Sequence, residues 1–348
     1  GAVSELGRTL VAQGRHEALR ELVQAAMQGE ALRAQGLWLL AGSHIKRDDL
    51  DGAAACLEEL LALEPDAQVP RHRLAGIEQR RGRHAEALAH LDHLVLHVEP
   101  GEVDWDRMTA ATILGAWDAL RDSARRLGLD FEGLDGEGPI DARMGICQVR
   151  FVEEDGTRND YFAERRGPVC ARVVQMAGPR RPEHFADLVA FDAGPLNPRG
   201  PASGEGEGEG EGDGDGEDPW IPLFPVVHVV SSGGFRCWSL DGVHPGEAAW
   251  AALVESLEAM GGVVDVRSDE RYEHEDPENE GKVLAGIFAY ACMPRGLEPA
   301  ELHARLDELT RSLPHPLVWP DLAEALPVGK EREQELARVA EVTDRYGL

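Results

Sequence analysis

Lysine is almost missing from this sequence. Lys46, Lys282 and Lys330 are its whole complement, and arginine supplies the other cations. A genome-wide, bacterial-like composition bias accounts for that more simply than function does. Cations of either kind are scarce, 35 Lys and Arg against 64 Asp and Glu, for a formal charge of −29. Nucleic acid and anionic membranes attract proteins through clustered cations that replace condensed counterions, so both are poor partners here. Only Arg165-Arg166, Arg172 and Arg180-Arg181 look locally basic. No apolar run approaches the ~18 residues that span a bilayer, which excludes a membrane-inserted helix. No signal peptide is visible at the start; a chain opening at Gly1 leaves a removed targeting segment open. Cysteine is sparse as well. Cys56, Cys147, Cys170, Cys237 and Cys292 are scattered, odd in number and never spaced Cys-x-x-Cys. That pattern suggests buried thiols in a reducing compartment, and the expected location is cytoplasmic. A Cys147–Cys170 bridge between neighbouring strands is the lesser alternative.

What the chain does have is a repeat. Leu40, Ala41, His44, Asp48, Leu50, Ala53, Leu57, Leu60 and Pro65 recur 34 residues later as Leu74, Ala75, Glu78, Gly82, His84, Ala87, Leu91 and Leu94, with Pro100 one place late. Thirty-four residues earlier the same roles fall to Leu6, Gly7, Leu10, Gly14, His16, Leu19, Val23 and Ala26. A fixed period with small residues at one slot and apolar residues at the others predicts stacked helical hairpins turning near Gly14, Asp48 and Gly82. The segment Trp105 to Leu127 continues helical but fits the period poorly, since the slot after Gly82 falls on Ala116. It reads as a capping helix or a degenerate fourth hairpin, closing residues 1–127.

These three repeats resemble the tetratricopeptide repeat family. The resemblance implies a concave groove, lined by the first helix of each pair, that receives an extended or helical peptide. Carried onto this sequence, the groove positions are Arg8, Val11, Trp38, Ile45, Lys46, His72, Gln79 and Arg80. An apolar anchor at Trp38 with cationic neighbours suits a peptide bearing an acidic side chain or a C-terminal carboxylate. The alternative has Trp38 packing against the following domain. Members that bind chaperone tails use a clamp of lysines and asparagines; Ser4 and Arg8 stand in the first-repeat places, so that ligand is not implied.

After the Gly- and Asp-rich boundary at 128–139, the period changes to two. Cys147, Val149 and Phe151 alternate with Ile146, Gln148, Arg150 and Val152, and Asp155-Gly156 supplies hairpin chemistry. Further strands at 159–163, 169–176 and 187–191 predict a small antiparallel β module, a barrel or curled sheet, over 140–198. Residues 199–218 form an acidic Gly/Glu tract, expected to be a disordered linker, with a lure for a basic partner as the sharper alternative. The remainder, 219–348, reads strand, helix, strand, strand, helix, strand with a C-terminal helix over 330–346. Its first strand region is 224–238, read as a hairpin bent at Gly233-Gly234. That order predicts a ferredoxin-like βαββαβ domain. The fold class is therefore multidomain, α plus α+β.

Chemistry is harder to find. His90, His93 and His97 fall at i, i+3 and i+7 beside His84, a spacing that could present a divalent metal with imidazoles. One helix rarely supplies three tetrahedral ligands, so a helix surface is the expected reading and no metal is assigned. His228, Cys237 and His244 lack the spacing of a Cys-His nucleophile pair, and Ser231-Ser232-Gly233-Gly234 lacks the lysine and helix of a phosphate loop. The carboxylates from Asp269 to Glu280 do not follow a calcium-loop pattern and read as a solvated, mobile loop. No catalytic residue and no cofactor are expected. The leading expectation is a non-enzymatic adaptor or scaffold for a protein or peptide partner; the alternative is a ligand- or metal-responsive regulator sensing through the C-terminal domain. The sequence names neither the partner nor the oligomeric state.

Overall fold

The computed structural model describes residues 2–26, 30–198, 220–276, 279 and 281–348, with the side chains at 2–4, 8, 11, 25–26 and 30–31 excepted. The N-terminal region consists of helical hairpins: α1 (Ala2–Ala12) with α2 (His16–Ala26), α3 (Glu30–Lys46) with α4 (Leu50–Leu63), and α5 (Gln68–Arg80) with α6 (His84–Leu94). The hairpin turns carry the period in their backbone. Gly14, Asp48 and Gly82 are left-handed, at φ 68°, 58° and 72°. That conformation costs a side chain about 1–2 kcal/mol and glycine nothing, while Asp tolerates it through local hydrogen bonding. The small slot has a packing cause: a Cβ added at Gly7 would stand 2.4 Å from Leu39. Leu57, Leu60, Leu91 and Leu94 are buried between layers, as the repeat requires.

A fourth hairpin follows, α7 (Glu102–Leu114) and α8 (Trp117–Arg126). Its left-handed turn residue is Gly115 at φ 68°, one place before the slot that the period assigns to Ala116. Of the two readings of this segment, the degenerate fourth hairpin is the one found, with its turn one residue early. The cap lies beyond it, where Ile140, Ala142 and Val169 cover Met108, Ala111, Leu120 and Ala124.

The β module is a closed barrel of β1 (Ile146–Val152), β2 (Arg158–Gly167), β3 (Cys170–Val173), β4 (Leu188–Phe191) and β5 (Leu223–Ser231), in that order. Cys147, Val149 and Phe151 are buried, as the alternation requires. The barrel is mixed rather than antiparallel, because β5 runs parallel to β1, with Gln148 opposite Leu223. The stretch 224–238 is accordingly not one hairpin. Its first half closes the barrel and its second half opens another sheet. Residues 199–218 lie outside the described residues, but their flanks are side by side. The Asn197 amide donates to Ile221 O at 3.0 Å, and its Oδ1 accepts from the Leu223 N–H at 2.7 Å.

The chain divides into two compact units: residues 1–151, 164–171 and 189–230, and residues 152–163, 172–188 and 231–348. In the second, β6 (Phe235–Val243), α9 (Glu247–Ala259), β7 (Val263–Val266), β8 (Glu273–Asp276), β9 (Lys282–Pro294), α10 (Pro299–Thr310) and β10 (Leu317–Val318) form an antiparallel sheet with helices. The strand order is β10-β6-β9-β7, with β8 pairing β9 beyond the end of β7. Trp238, Leu240, Leu253, Leu257, Leu302, Leu306 and Trp319 are its core, completed by α11 (Pro320–Ala325). The expected mobile acidic loop is corrected at β8. Alternation turns His274 and Asp276 inward, and Asp276 accepts from Arg345 on α12 (Lys330–Tyr346) at 3.1 Å. No helix among the described residues is long and apolar enough to cross a membrane.

Candidate functional site

The first helices of the hairpins leave a groove of about 730 Å³ in the first unit. Trp38 and Ile45 on α3 and His72 on α5 line it, with Lys46 and Arg80 closing the helix ends. Of the eight expected positions, these five are brought together. Gln79 lies at the margin, its amide donating to Asp106 O at 3.4 Å. Arg8 and Val11 belong to α1, but their side chains fall outside the described ones. Trp38 is 39% exposed on the groove wall. An indole left in that position offers a large rigid contact surface that folding has not covered.

Two further groove residues, Glu102 and Asp106, come from α7. Asp106 was findable: it stands 34 residues after His72, which itself stands 34 after Trp38, so one repeat slot carries indole, imidazole and carboxylate in turn. His72 Nε2 and Asp106 Oδ2 are 2.7 Å apart. The hydrogen bond to Asp106 outweighs partial burial and holds the His72 pKa above its ordinary value. Cations in the groove come from α3 and α5 (Lys46, Arg73, Arg80), and carboxylates from α7. The sign of the charge therefore changes along the array, and the groove is bipolar rather than simply cationic. Arg80 pairs with Asp48 at 2.5 Å at the solvent-exposed rim, an arrangement worth little to stability.

The other constellations were weighed from the sequence without being expected as sites. Helix α6 ends at Leu94, so His97 leaves the face that carries His90 and His93. The His93 and His97 rings are 4.9 Å apart beside a cavity of about 360 Å³ that also contains Asp66, Gln68 and Arg71. His84 is buried edge-on against His228, 5.0 Å between centroids. In the Ser231–Gly234 turn the two glycine amides are already engaged. Gly233 N–H donates to Asp187 Oδ1 at 2.6 Å and Gly234 N–H to Ser232 Oγ at 3.1 Å. Cys147 and Cys170 are both buried and are not joined by the disulfide weighed for them.

What sequence reasoning missed is the true neighbour of Cys237. It lies opposite Cys292 in the β6–β9 pairing, and Glu183 completes a buried trio whose donor atoms all lie within 4.8 Å of one another. The hydrogen-bonded contact with Cys237, then burial, pushes the Cys292 thiol well above its ordinary pKa. A thiol pKa raised in this way disfavours the thiolate that an activated nucleophile needs.

No family model matches the chain, and no curated protein matches it. Among solved structures the chain is similar to one titled "MamA AMB-1 P212121", at 21% identity, covering 37% of this chain and 78% of that one, with a TM-score of 0.32. It is also similar to a hypothetical protein from Neisseria gonorrhoeae, at 10% identity, covering 52% of this chain and 94% of that one, with a TM-score of 0.22. At these scores neither likeness bears on function. The TPR-like character of the N-terminal region rests on its own helices and turns.

Proposed function

We propose that this chain is a non-enzymatic interaction protein, an adaptor or scaffold that binds a peptide segment in the groove of its N-terminal hairpins. The exposed Trp38 on the wall of a groove with charges of both signs is the observation that supports this reading. The segment that fits is bipolar. An acidic group or C-terminal carboxylate faces Lys46, Arg73 and Arg80, an apolar side chain covers Trp38, and a basic residue faces Glu102. The second unit reads as a ferredoxin-like domain, which the βαββαβ order and the strand order β10-β6-β9-β7 support. We place the protein in the cytoplasm.

The test is a peptide-display selection on the full chain, followed by calorimetric affinities for wild type and variants. Trp38→Ala removes a central aromatic anchor worth about 2 kcal/mol, roughly a 30-fold loss in affinity. Arg80→Glu shifts preference away from acidic peptides. Unchanged affinity in the double variant, with unchanged helical circular dichroism, sinks the groove.

A second reading, a ligand- or metal-responsive regulator, is favoured by the buried Glu183–Cys237–Cys292 cluster in the C-terminal unit. It predicts saturable thermal stabilisation by one member of a metabolite and metal panel, because a ligand of the native state alone raises apparent stability.

A further inference from the structure

We propose that Glu183, Cys237 and Cys292 form a binding site for a thiophilic divalent cation of the Zn²⁺ class, with a fourth coordination position facing an arginine-lined cavity. The proposal deepens the regulatory reading by naming its ligand, and it is independent of the groove.

The donors come from three separate segments of one unit. Cys237 and Cys292 are direct partners across the antiparallel β6–β9 ladder, so the sheet itself fixes both sulfurs. Glu183 arrives on the connection between β3 and β4. That segment reaches β9 because residue 178 is glycine. Gly178 is left-handed at φ 75°, and a Cβ there would stand 2.6 Å from the Tyr290 ring. Glu183, at 9% exposure, is the most accessible of the three.

The spacing fits a metal. Tetrahedral Zn–S bonds of about 2.3 Å and Zn–O bonds of about 2.0–2.2 Å place sulfur and oxygen about 3.5 Å apart along an edge. Cys292 Sγ stands 3.5 Å from Glu183 Oε2. Two thiolates and one carboxylate form a donor set that suits Zn²⁺ over the oxygen-seeking Mg²⁺ and Ca²⁺.

The surroundings are those of a supported ligand. The Glu183 carboxylate accepts from the Ala177 N–H, at 3.1 Å to Oε2 and 3.3 Å to Oε1, and from the Phe185 N–H at 2.8 Å to Oε1. Such amides orient a ligating carboxylate and leave lone pairs for an ion. Met176, Phe235 and Tyr290 pack around the sulfurs. Glu183 and Cys237 also line a cavity of about 540 Å³, which gives an entry path. Arg181, Arg236 and Arg295 line the same cavity, and none of them forms an ion pair among the described residues. Three anionic donors around a divalent ion leave one net negative charge, which these guanidiniums compensate. Glu324 and Asp321 line it too, the latter accepting from Ser239 N–H at 3.2 Å.

The experiment is a Co²⁺ titration of the full, chelator-stripped chain under a phosphine reductant, followed by Zn²⁺ competition. The expected result is sulfur-to-cobalt charge-transfer absorption saturating at one equivalent and bleached by Zn²⁺. Cys237→Ser and Cys292→Ser each weaken binding tenfold or more, Glu183→Gln keeps the charge-transfer bands at lower affinity, and Cys147→Ser changes nothing. Because either serine variant could misfold, the native chain is also tested by thiol labelling: Zn²⁺ must protect two cysteines, mapped to Cys237 and Cys292. Absent charge-transfer absorption, or bands that persist in the Cys237→Ser/Cys292→Ser double variant, overturns the site. Metal binding without any ligand-linked response elsewhere leaves the site standing and sinks the regulatory reading instead.

Discussion

Two aspartates in the third and fourth hairpins make ion pairs of nearly equal length and should differ sharply in worth. Asp104 Oδ1 accepts from Arg126 Nε at 2.8 Å, and its Oδ2 accepts from the Gly101 N–H at 3.1 Å at the start of α7. Asp92 Oδ1 accepts from Arg107 Nε at 2.7 Å. Burial separates them: the Asp104 side chain is 0% exposed and that of Asp92 is 47%. Asp104→Asn leaves Arg126 without its carboxylate and turns an amide toward one of two donors. Breaking a buried pair costs 3–5 kcal/mol, but Arg126 is about a quarter exposed and keeps a bond to Val98 O, so about 2–3 kcal/mol is expected. Asp92→Asn leaves Arg107 its bonds to Asp122 and Ser123, and should cost about 0.5 kcal/mol.

The assay is urea unfolding of the full chain, read by helical circular dichroism and by the fluorescence of Trp105 and Trp117, which pack in the fourth hairpin. With slopes of about 1–3 kcal/mol per molar, the two midpoints should differ by about 0.5–2.5 M at unchanged slope. Equal shifts would refute the reasoning, because bond length and not burial would then set the worth of a pair.

Two other predictions concern the turns and the groove. Gly82→Ala places a methyl where no atom lies within 4 Å, so its cost is conformational, about 1 kcal/mol in the same unfolding experiment; a loss above about 3 kcal/mol points to another cause. His72 has a folded pKa above its unfolded value, so its bond to Asp106 contributes fully below about pH 6.5 and is lost as pH rises through the raised folded value. The stability difference between wild type and His72→Gln should therefore shrink as pH rises, and Asp106→Asn should abolish that slope; a difference independent of pH would count against the pair.

The N-terminal region was legible because each signal is local. A left-handed turn residue, a small slot and the leucines between layers each lie within one hairpin, and the period multiplies them. It blurred at one residue: Gly115 sits a place early, so register at the turn left a degenerate fourth hairpin undecided against a capping helix, although its first helix remains in phase from His72 to Asp106. The barrel was half legible. Its β1 alternation showed in Cys147, Val149 and Phe151, but its closing strand lies beyond the acidic tract, and parallel pairing leaves no turn signature.

The sites divide by the same logic. The groove positions fall at fixed offsets along a repeat, so finding one predicts the next. Glu183 and Cys292 are 109 residues apart, and nothing local in either announces the other. What joins them is the register of β6 against β9 together with the path of the connection that carries Glu183. A shift of one residue in that pairing would turn Cys237 to the opposite face and leave the carboxylate against Arg236 or Trp238. The trio is a property of strand pairing, and a site of that kind becomes visible only once the sheet is known.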